Sequence, residues 1–578
     1  MQPRVSHTNL TPMAVEARAY QLEAVDESLA GSMMLVLPTA AGKTAVSWMV
    51  IADKLLEGNG WILMLAPTVA LVNQHLKGMI SILNEGFNPI SITGQNPANK
   101  RSAMWASSRV IIATPQVVRN DIVKGLLSLS ECSLAVFDEA HHSTGAHAMA
   151  QVGEMYNSQS EKPLILAMTA SPGSRISQVE EICKCLKIQR IHLRTSEDPL
   201  LSSHLSNLEI QEIKVSVPEE IWNIVEPFKL WQRGIVDREK RLGKYIMPGE
   251  INHAGLSNAM ERSHAAIQRG EKNAYTSVSQ IAIAMRLHHL INHMLCQGIA
   301  ASREFLTRMS EDNESKAVKN LMRDQRIQKL IKEISGRDEI HSKIGAVRRL
   351  VRERLRRDSE SKIIIFATFR DTISVLEKAL KDMKEARPIQ FVGQSNRVGG
   401  SGLKPKEQIE RLEKFRQGYA NILLSTAVGE EGLDIPSADL VIFYEPVSSE
   451  TRTIQRRGRT GRHREGEVIV LIAEGTRDEG ARNSALKREV NMQKVVQRVK
   501  RSLLQIPHLD MSNMTNFEVN MGDDIVSAES FVHSIREENR PEVEDYDTTK
   551  LKGKNDVRKK SENIQFRSSK QKGLEDFK

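Results

Sequence analysis

The stretch MMLVLPTAAGKT, from Met33 to Thr44, decides the fold of this 578-residue chain. Its first five residues form a continuous apolar run, which predicts a strand buried on both faces of a parallel sheet. The loop that follows leads into a helix, and such a loop leaves backbone N–H groups free to cradle phosphates. We therefore expect a strand–loop–helix phosphate-binding unit at the start of an α/β domain.

The residues of this loop suit a nucleotide. Lys43 would reach the β and γ phosphates, and the Thr44 hydroxyl would ligate Mg²⁺. Leu37 stands where the strict pattern has a glycine, so the loop is a shortened form. A chance loop carrying Gly-Lys-Thr is the alternative that these three residues alone leave open. The predicted ATP-binding residues of the loop are Pro38, Thr39, Ala40, Ala41, Gly42, Lys43 and Thr44.

A second apolar run, LAVF from Leu134 to Phe137, leads directly into the sequence DEAHH. Carboxylates at the carboxyl end of a strand lie beside the phosphate loop in a doubly wound sheet. We expect Asp138 to hold Mg²⁺ through water, and Glu139 to orient or deprotonate the attacking water. The alternative is that these residues cap a surface helix, and the buried strand before them argues against it.

Apolar runs alternate with spacers of helical length in two separate parts of the chain, which predicts two parallel α/β domains. The first series is at 33–37, 61–66, 110–113, 134–137 and 164–168, and the second at 362–367, 389–392, 422–426, 440–443 and 468–472. From Pro218 to Ile340 apolar residues recur at helical spacing, which predicts an inserted all-α domain. The predicted boundaries are 1–200 and 341–505 for the two α/β domains, 215–340 for the insert and 506–578 for a mostly flexible charged tail.

The sequence QRRGRTGR, from Gln455 to Arg462, adds a third element in the second α/β domain. Phosphoryl transfer needs positive charge at the γ-phosphate, and an arginine finger is worth about 10³ to 10⁵ in rate. We predict that Arg459 and Arg462 are such fingers and that Gln455 completes the catalytic set. The alternative is a basic surface loop on a phosphate backbone, but the glycines favour a shaped loop.

These elements, in this order on two similar domains, resemble helicase superfamily 2 from Arg18 to Glu479. The resemblance implies two RecA-like motor domains with ATP between them. For ATP, it implies adenine recognition by Arg18, Tyr20 and Gln21 and interface contacts from Gly432 and Asp434. For the nucleic acid, it implies backbone contacts from Pro67, Thr68, Gln74, Thr93, Gly94, Thr114, Pro115, Thr368, Arg370 and Thr426. Coupling of hydrolysis to domain movement is implied for His141, Thr169, Ala170 and Ser171.

Within the superfamily, the chain most resembles archaeal Hef and the Fanconi anaemia group M helicases. The phrases that carry the resemblance are VLPTAAGKT, VFDEAHH, MTASPGS, VGEEGLDIP and IQRRGRTGRHREG, together with the position of the insert. It implies ATP-dependent remodelling of branched DNA, such as forks and four-way junctions, in replication-fork repair with 3′ to 5′ polarity. Nothing after Arg501 matches the nuclease of Hef, so we expect no strand cleavage. The segment Arg488 to Ser502 is predicted to be one basic helix that closes the second domain.

Two alternatives for the function remain open. Immune RNA-sensing helicases carry an insert at the same position. The first alternative is therefore a helicase with the same motor domains that acts on duplex RNA. A DNA-binding scaffold that uses ATP only as a switch is the other, and an intact hydrolytic set argues against it. The insert supplies candidate phosphate contacts, which give affinity without sequence choice, at Lys229, Arg233, Arg238, Lys240, Arg241, Lys244, Arg262, Arg269 and Lys272. For His288, His289 and His293, packing or phosphate contact is favoured over a metal site.

The charge of the chain favours an anionic partner, either nucleic acid or an anionic membrane surface, and its hydropathy predicts no membrane span. The net charge of +9 favours an anionic partner, and no apolar run approaches the roughly 20 residues that cross a bilayer. Cys183 and Cys185 form an isolated C-x-C without a second pair, which predicts ordinary thiols in a reducing compartment. The N-terminus lacks the apolar core of a signal peptide. We expect a cytoplasmic, archaeal, nucleoid-associated protein with no membrane partner.

The last residues, QKGLEDFK, match the spacing of peptides that bind the sliding clamp PCNA. Gln571, Leu574 and Phe577 fill the glutamine, aliphatic and first aromatic positions, and Lys578 stands where a second aromatic is usual. Such a peptide folds into a short turn that buries its apolar side chains in a groove. The sequence therefore predicts a clamp-binding peptide of reduced affinity at 571–578.

Overall fold

The computed structural model describes residues 2–39, 41–58, 60–204, 209–311, 316–393, 403, 405–426, 438–446, 467–503, 510–522 and 524–539. The strands are β1 (Arg4–Ser6), β2 (Met33–Val36), β3 (Trp61–Leu65), β4 (Ile90–Ile92), β5 (Val110–Ala113), β6 (Cys132–Asp138), β7 (Ile165–Thr169), β8 (Arg190–Leu193), β9 (Glu209–Val215), β10 (Ile363–Phe366), β11 (Pro388–Phe391), β12 (Ile422–Ser425), β13 (Leu440–Phe443), β14 (Glu467–Ala473), β15 (Glu518–Asn520) and β16 (Ile525–Ser527).

The helices are numbered in the same way along the chain. They are α1 (Ala19–Ala30), α2 (Lys43–Lys54), α3 (Val69–Ile82), α4 (Ala98–Trp105), α5 (Pro115–Val123), α6 (Ala148–Gln159), α7 (Ile176–Cys185), α8 (Pro199–Ser202), α9 (Glu219–Arg241), α10 (His253–Gln268), α11 (Ala274–Gln297), α12 (Ile299–Glu311), α13 (Lys316–Arg323), α14 (Gln325–Ser335), α15 (Ser342–Arg357), α16 (Arg370–Lys381), α17 (Pro405–Arg416), α18 (Arg477–Ser502) and α19 (Ala528–Glu538). None of these helices is long and apolar enough to cross a membrane.

The first sheet is parallel throughout and has the strand order β4-β5-β3-β6-β7-β2-β8. Successive residues of a strand enter opposite cores: Met33 and Leu35 lie in one, Met34 and Val36 in the other. This is the burial that a continuous apolar run predicts. The edge strands β4 and β8 are additional to the prediction, because they are short and only partly buried.

The second sheet is also parallel, with the order β11-β12-β10-β13-β14-β9. Five of its strands match the second predicted series. The sixth, β9, precedes the insert in sequence yet pairs with β14 from Glu209 to Val215. The sequence does not reveal β9 because it is a largely exposed edge strand: of residues 210–215, whose burial is described, only Val215 is buried. The predicted architecture of two RecA-like α/β domains separated by a helical insert is confirmed.

Helices α9 to α14 form the insert around their own apolar core, which includes Phe228, Leu287 and Leu290. The histidines of α11 belong to this packing. His293 is 4% exposed and stacks on Phe305, with 5.0 Å between ring centroids. Burial lowers the pKa of His293 to about 3 and the pKa of His288 to about 4. In the described part of the chain, no group of three or more His, Cys, Asp or Glu residues could hold a metal ion.

The end of α11 is joined to the second sheet by a buried polar contact network. Gln297 is 2% exposed, and its Nε2 donates to Glu445 Oε2 at 3.3 Å. Its Oε1 accepts from the Thr372 hydroxyl at 2.7 Å, and its carbonyl accepts from the Tyr444 hydroxyl at 3.3 Å. Buried polar groups are costly unless paired, so this set specifies one arrangement of the insert on the second domain.

Helix α18 differs from the prediction in where it packs. The segment Arg488 to Ser502 is helical, as predicted, but it does not close the second domain alone. Its apolar residues, at helical spacing, lie in a core of the first sheet: Met492, Val495, Val496 and Val499. Asn491 also donates to the Ser174 carbonyl at 2.8 Å. The helix therefore starts beside β14 of the second sheet and ends on the first domain.

The segment after α18 differs from the predicted flexible tail. Strands β15 and β16 form an antiparallel sheet with β1, and α19 follows. The side chains that anchor this segment, Phe517, Phe531 and Val532, are at most 5% exposed and lie in a core of the first domain. The sequence suggests disorder here because these apolar residues are few and widely spaced among polar ones. The predicted clamp-binding peptide at 571–578 lies outside the described residues.

Two buried carboxylates of α1 hold this C-terminal segment. Asp26 Oδ1 accepts from the Asn513 backbone N–H at 3.0 Å and from its side-chain Nδ2 at 3.1 Å. Glu23 is 4% exposed and pairs with Arg536 of α19 at 2.6 Å and with Arg194 after β8. Because both acids are buried, these partners offset much of the cost of removing their charges from water.

The cysteines form no disulfide: Cys132, Cys183, Cys185 and Cys296 are all free. Burial raises the pKa of Cys132, Cys183 and Cys296 to about 12 and that of Cys185 to about 11. A thiol with so high a pKa carries almost no thiolate at neutral pH, so it is a poor nucleophile.

Replacing Asn513 with alanine is expected to lower the free energy of unfolding of the first domain by about 1–2 kcal/mol. The reason is that the buried Asp26 carboxylate loses a side-chain donor. Urea unfolding followed by tryptophan fluorescence measures the change, with Thr515→Ala, at an exposed position of the same segment, as the control. Identical unfolding curves for the two variants would show that the segment does not stabilise α1.

Candidate functional site

Three chemically distinct loops meet at one edge of the first sheet. The phosphate loop follows β2, the DEAH sequence follows β6, and the TAS sequence of residues 169–171 begins at the end of β7. Strand β7 lies between β6 and β2, and all three run parallel. Their carboxyl ends therefore lie side by side, which is where ligands bind in open α/β sheets.

The phosphate loop rests on two buried side chains of α1. The Tyr20 hydroxyl donates to the Ala41 carbonyl at 2.9 Å, and Gln21 Nε2 donates to the same carbonyl at 3.1 Å. Tyr20 is fully buried and Gln21 is 2% exposed. Arg18, the third residue of this set, donates to Glu16 at 2.9 Å and to the Tyr20 hydroxyl. In this arrangement the set supports the loop, and adenine recognition stays a prediction.

Gly42, the residue just before α2, adopts a left-handed conformation with φ +77°. A Cβ at this position would lie 2.2 Å from Gln21 Nε2, so a glycine is required both by the backbone and by the close approach of Gln21. No side chain caps the start of α2. The Ala45 N–H already donates to the Gly42 carbonyl at 2.9 Å. The N–H groups of Lys43 and Thr44 lie at the start of the helix, where its dipole favours an anion.

Lys43 is directed back onto the loop. Its Nζ donates to the Leu37 carbonyl at 3.1 Å and to the Pro38 carbonyl at 3.3 Å. Burial lowers the pKa of Lys43, and the negative charges of Glu139 and Asp138 partly offset this effect. Phosphate oxygens can replace the two carbonyls as acceptors and bring a full negative charge, so the loop fits a nucleotide phosphate.

Asp138 and Glu139 lie at the carboxyl end of β6. Asp138 Oδ1 accepts from the Glu139 backbone N–H at 3.1 Å, and Oδ2 is 2.7 Å from His75 Nε2. Burial alone would raise the pKa of Asp138, but the hydrogen bond with His75 and the charges of His75 and Lys43 bring it below its usual value. The ionised carboxylate suits a divalent cation, because hard cations prefer oxygen ligands. Thr44, the other predicted ligand, lies next to Lys43 at the start of α2.

Glu139 adopts a left-handed backbone with φ +53° and ψ +49°, which is uncommon for a non-glycine residue. Strained backbone of this kind is concentrated at functional sites. Its carboxylate is 3.2 Å from His141 Nδ1, and the same nitrogen is 3.3 Å from the Thr169 hydroxyl. The Ser171 backbone N–H donates to that hydroxyl at 3.1 Å. The structure thus brings the predicted coupling residues, with Ala170 between Thr169 and Ser171, into contact with the DEAH sequence.

His75 was not among the predicted site residues. It lies on the buried face of α3, with Val72, Met79 and Ile82 at helical spacing. The only signal in the sequence is a hydrogen-bonding side chain in the middle of an apolar helix face, and such a histidine is usually a core residue. Its contact with Asp138 depends on the tertiary packing of α3 against β6.

The predicted nucleic-acid residues of the first domain follow β3, β4 and β5, on the other half of the same sheet edge. Gln74 and Gly94 are exposed, whereas Thr93 and Thr114 are buried. Thr68 caps α3 by accepting from the Leu71 N–H at 3.3 Å. The remaining two are Pro67, just before Thr68, and Pro115, the first residue of α5. The set therefore shares one edge with the nucleotide loops.

On the second domain, the predicted residues follow strands β10 and β12. The Thr368 backbone N–H donates to Glu445, Arg370 donates to the Gly393 carbonyl at 2.8 Å, and Thr426 is 5% exposed. Several predicted ATP-site residues lie outside the described residues: Ala40, Gly432, Asp434, Gln455, Arg459 and Arg462. The arginine-finger assignment therefore stays a prediction.

Replacing Gly42 with alanine is expected to weaken nucleotide binding by about tenfold or more, because the new Cβ displaces Gln21 from the loop. The control is Gly125→Ala: Gly125 has a similar φ of +70°, but its added Cβ meets no atom within 4 Å. Both variants carry the backbone strain of about 1–2 kcal/mol, so the difference between them reports the contact with Gln21. Titration with a fluorescent ATP analogue measures the affinity, and equal affinities for the two variants would contradict the role of Gly42.

Three family models match the chain in order. Residues 18–179 match the DEAD/DEAH box helicase model, and residues 342–464 match the helicase conserved C-terminal domain. Residues 248–341 match a model described as "Putative ATP-dependent RNA helicase, helical bundle". The matched ranges follow the two α/β domains and most of the insert. The two matched motor domains are those of an ATP-hydrolysing helicase.

Curated relatives are similar over most of this chain. A "Putative ATP-dependent RNA helicase" of Methanocaldococcus jannaschii is 34% identical over 85% of this chain and 62% of its own length. The ATP-dependent DNA helicase mph1 of Neurospora crassa is 29% identical, over 86% of this chain and 44% of its own length. The Fanconi anemia group M protein of Gallus gallus is 29% identical, with coverages of 83% and 26%. The chain thus spans between about a quarter and three-fifths of these relatives.

A solved structure shows the same fold. The crystal structure of the Pyrococcus furiosus Hef helicase domain superposes with a TM-score of 0.62 at 34% sequence identity. The match covers 81% of this chain and 98% of that domain. Together with the motif order and the sheet-edge geometry, this places the chain in a family. The chain belongs to the superfamily 2 helicases of the Hef and Fanconi anaemia group M type.

Proposed function

We propose that this chain is an ATP-driven motor that remodels branched DNA, such as forks and four-way junctions, with 3′ to 5′ polarity. The observation that carries the proposal is the shared sheet edge. The phosphate loop, Asp138 and Glu139 occupy one half of it, and the candidate nucleic-acid loops after β3, β4 and β5 occupy the other. A change at one group of loops can therefore reach the other through a single rigid sheet.

The chemistry of the site suits phosphoryl transfer. Lys43 would leave the Leu37 and Pro38 carbonyls for the phosphates of ATP. Thr44 and Asp138 would hold Mg²⁺, which when bound neutralises charge on the phosphates. Glu139 is placed to orient the attacking water and to accept its proton. Because the protein's part is mainly positioning and electrostatics, the fixed strand ends are well suited to the task.

His141 offers a route from hydrolysis to movement. Nδ1 of His141 contacts both Glu139 and Thr169. A movement of the Glu139 carboxylate can therefore displace Thr169 at the end of β7 through the histidine ring. Opening and closing of the cleft between the motor domains would then move the nucleic-acid contacts of one domain relative to those of the other.

Branched DNA is the favoured track because several relatives are named as DNA helicases, and the Hef helicase domain is among the solved structures that match. The insert offers exposed cations for phosphate contact at Arg233, Arg238, Arg262 and Lys272. Other predicted contacts of the insert are already engaged: Lys244 and Arg269 pair with Glu271, and Lys229 lies over the Trp222 ring. Lys240 and Arg241 are exposed as well, with Lys240 Nζ 3.8 Å from Asp237 and Arg241 Nε donating to the Asp237 carbonyl at 3.4 Å. Phosphate binding by the insert thus rests mainly on the first group.

Duplex RNA is the second candidate track. The Methanocaldococcus jannaschii relative and the family model of the insert are both named for RNA helicases. Motors of this kind contact mainly the backbone, so the choice depends on contacts to the 2′-hydroxyl. Binding of the sliding clamp by 571–578 is a separate proposal, which rests on the residue spacing alone.

Replacing Lys43 with alanine is expected to abolish ATP turnover while leaving nucleic-acid binding largely intact, since Lys43 faces the phosphate loop and not the exposed edge. Phosphate release and fluorescence anisotropy of labelled DNA measure the two properties. Lys54→Ala, at the other end of α2, is the matched control, because its ion pair with Glu57 is a surface contact of small energy. Turnover that survives in the Lys43 variant would rule out the assigned site.

The track is tested by comparing ATPase stimulation by single strands, linear duplex, forked DNA, a four-way junction and duplex RNA. We expect the forked and four-way DNA to stimulate turnover most, because motor and insert can each contact an arm. Stronger stimulation by duplex RNA would reverse the assignment of the track. Turnover that no nucleic acid changes would favour the ATP-switched scaffold.

A further inference from the structure

His75 contacts one of the two DEAH carboxylates, although it belongs to none of the helicase motifs described above. His75 Nε2 lies 2.7 Å from Asp138 Oδ2, and His75 is 4% exposed. Within the described part of the chain, His75 is the only side chain hydrogen-bonded to Asp138. Lys43, which acts on Asp138 only through its charge, bonds instead to loop carbonyls.

The direction of the hydrogen bond follows from the charge of Asp138. An ionised carboxylate can only accept, so the Nε2–H of His75 donates. The other ring nitrogen, Nδ1, is buried and has no hydrogen-bond partner among the residues that the structure describes. A buried polar atom without a partner is costly, and an apolar residue at this position of α3 would avoid that cost. Packing alone therefore does not explain a histidine at this position. Its hydrogen bond to Asp138 does.

Helix α3 connects this bond with the nucleic-acid edge. It begins directly after Thr68, whose hydroxyl caps its first turn. Gln74, a predicted backbone contact, is exposed, and the next residue, His75, is directed inward to Asp138. A helix moves as a rigid unit, so a shift of Gln74 on a bound strand must also shift His75.

We propose that His75 is the positioning residue for Asp138, and that it couples the nucleic-acid contact of α3 to the Mg²⁺-binding carboxylate. The inference rests on the proposed function of the site and deepens it. His75 orients Asp138 through Oδ2, while Oδ1 accepts only the Glu139 backbone N–H among the described residues and so keeps a lone pair for a cation. Partners that orient a metal-binding group in this way typically change metal affinity or activity by about 10- to 100-fold when they are removed.

A simpler account is that His75 only ties α3 to β6. That role would lower the stability of every variant that loses the bond, but it would leave the Mg²⁺ dependence of nucleotide binding unchanged. The amide nitrogen of a glutamine reaches as far as Nε2, whereas that of an asparagine reaches only as far as Nδ1. The pair His75→Gln and His75→Asn therefore tests the donor at one atom.

The experiment measures the Mg²⁺ concentration for half-maximal binding of a fluorescent, non-hydrolysable ATP analogue, with thermal melting to check folding. We expect His75→Asn to need about tenfold more Mg²⁺ than the wild type, and His75→Gln to restore most of the loss. If the asparagine variant is unfolded, His75→Leu, which fills the apolar face and has no donor, takes its place. Equal Mg²⁺ dependence in the wild type and both variants would overturn the proposal.

A second readout addresses coupling. The ratio of ATP turnover with and without forked DNA should fall severalfold in His75→Asn and recover in His75→Gln. The control on the same helix is Ile80→Ala, at a side chain that is 60% exposed and has no assigned role. A wild-type protein without any turnover would refute the proposed function, while the Mg²⁺ dependence of analogue binding would still decide the role of His75.

Discussion

Strands β6, β7 and β2 lie side by side in one parallel sheet that is buried on both faces, and the site depends on this arrangement. Parallel strands end at a common edge, so the three loops that follow them must meet there. The cores on the two faces fix the register of the strands, because a slip by one residue would exchange the two sets of buried side chains. The positions of Lys43 and Asp138 are therefore set by apolar packing distant from any phosphate.

The support of the phosphate loop extends to the end of the described chain. Tyr20 and Gln21 of α1 donate hydrogen bonds to the Ala41 carbonyl. Helix α1 in turn binds the C-terminal segment: Asp26 accepts from Asn513, and Glu23 pairs with Arg536. Helix α18 meanwhile runs from beside β14 of the second sheet to a core of the first domain. The nucleotide loop is thus braced by residues that follow both motor domains in sequence.

Much of this could be predicted from the sequence, because strands buried on both faces leave continuous apolar runs and the motifs follow them directly. What could not be predicted depends on contacts between distant segments. β9 is an exposed edge strand without an apolar run, and the C-terminal segment carries only a few anchors such as Phe517. His75 has the sequence position of an ordinary core residue, and only the packing of α3 on β6 shows its bond to Asp138.

We propose that ATP and nucleic acid are coupled through one sheet edge, and reciprocal binding measurements detect such coupling. The affinity for forked DNA is measured with and without a non-hydrolysable ATP analogue and Mg²⁺, and the affinity for the analogue with and without DNA. Linkage requires both affinities to change by the same factor, and typical coupling is about 5-fold or more. Equal factors of this size are the predicted result. Affinities that do not respond to the other ligand would contradict the account.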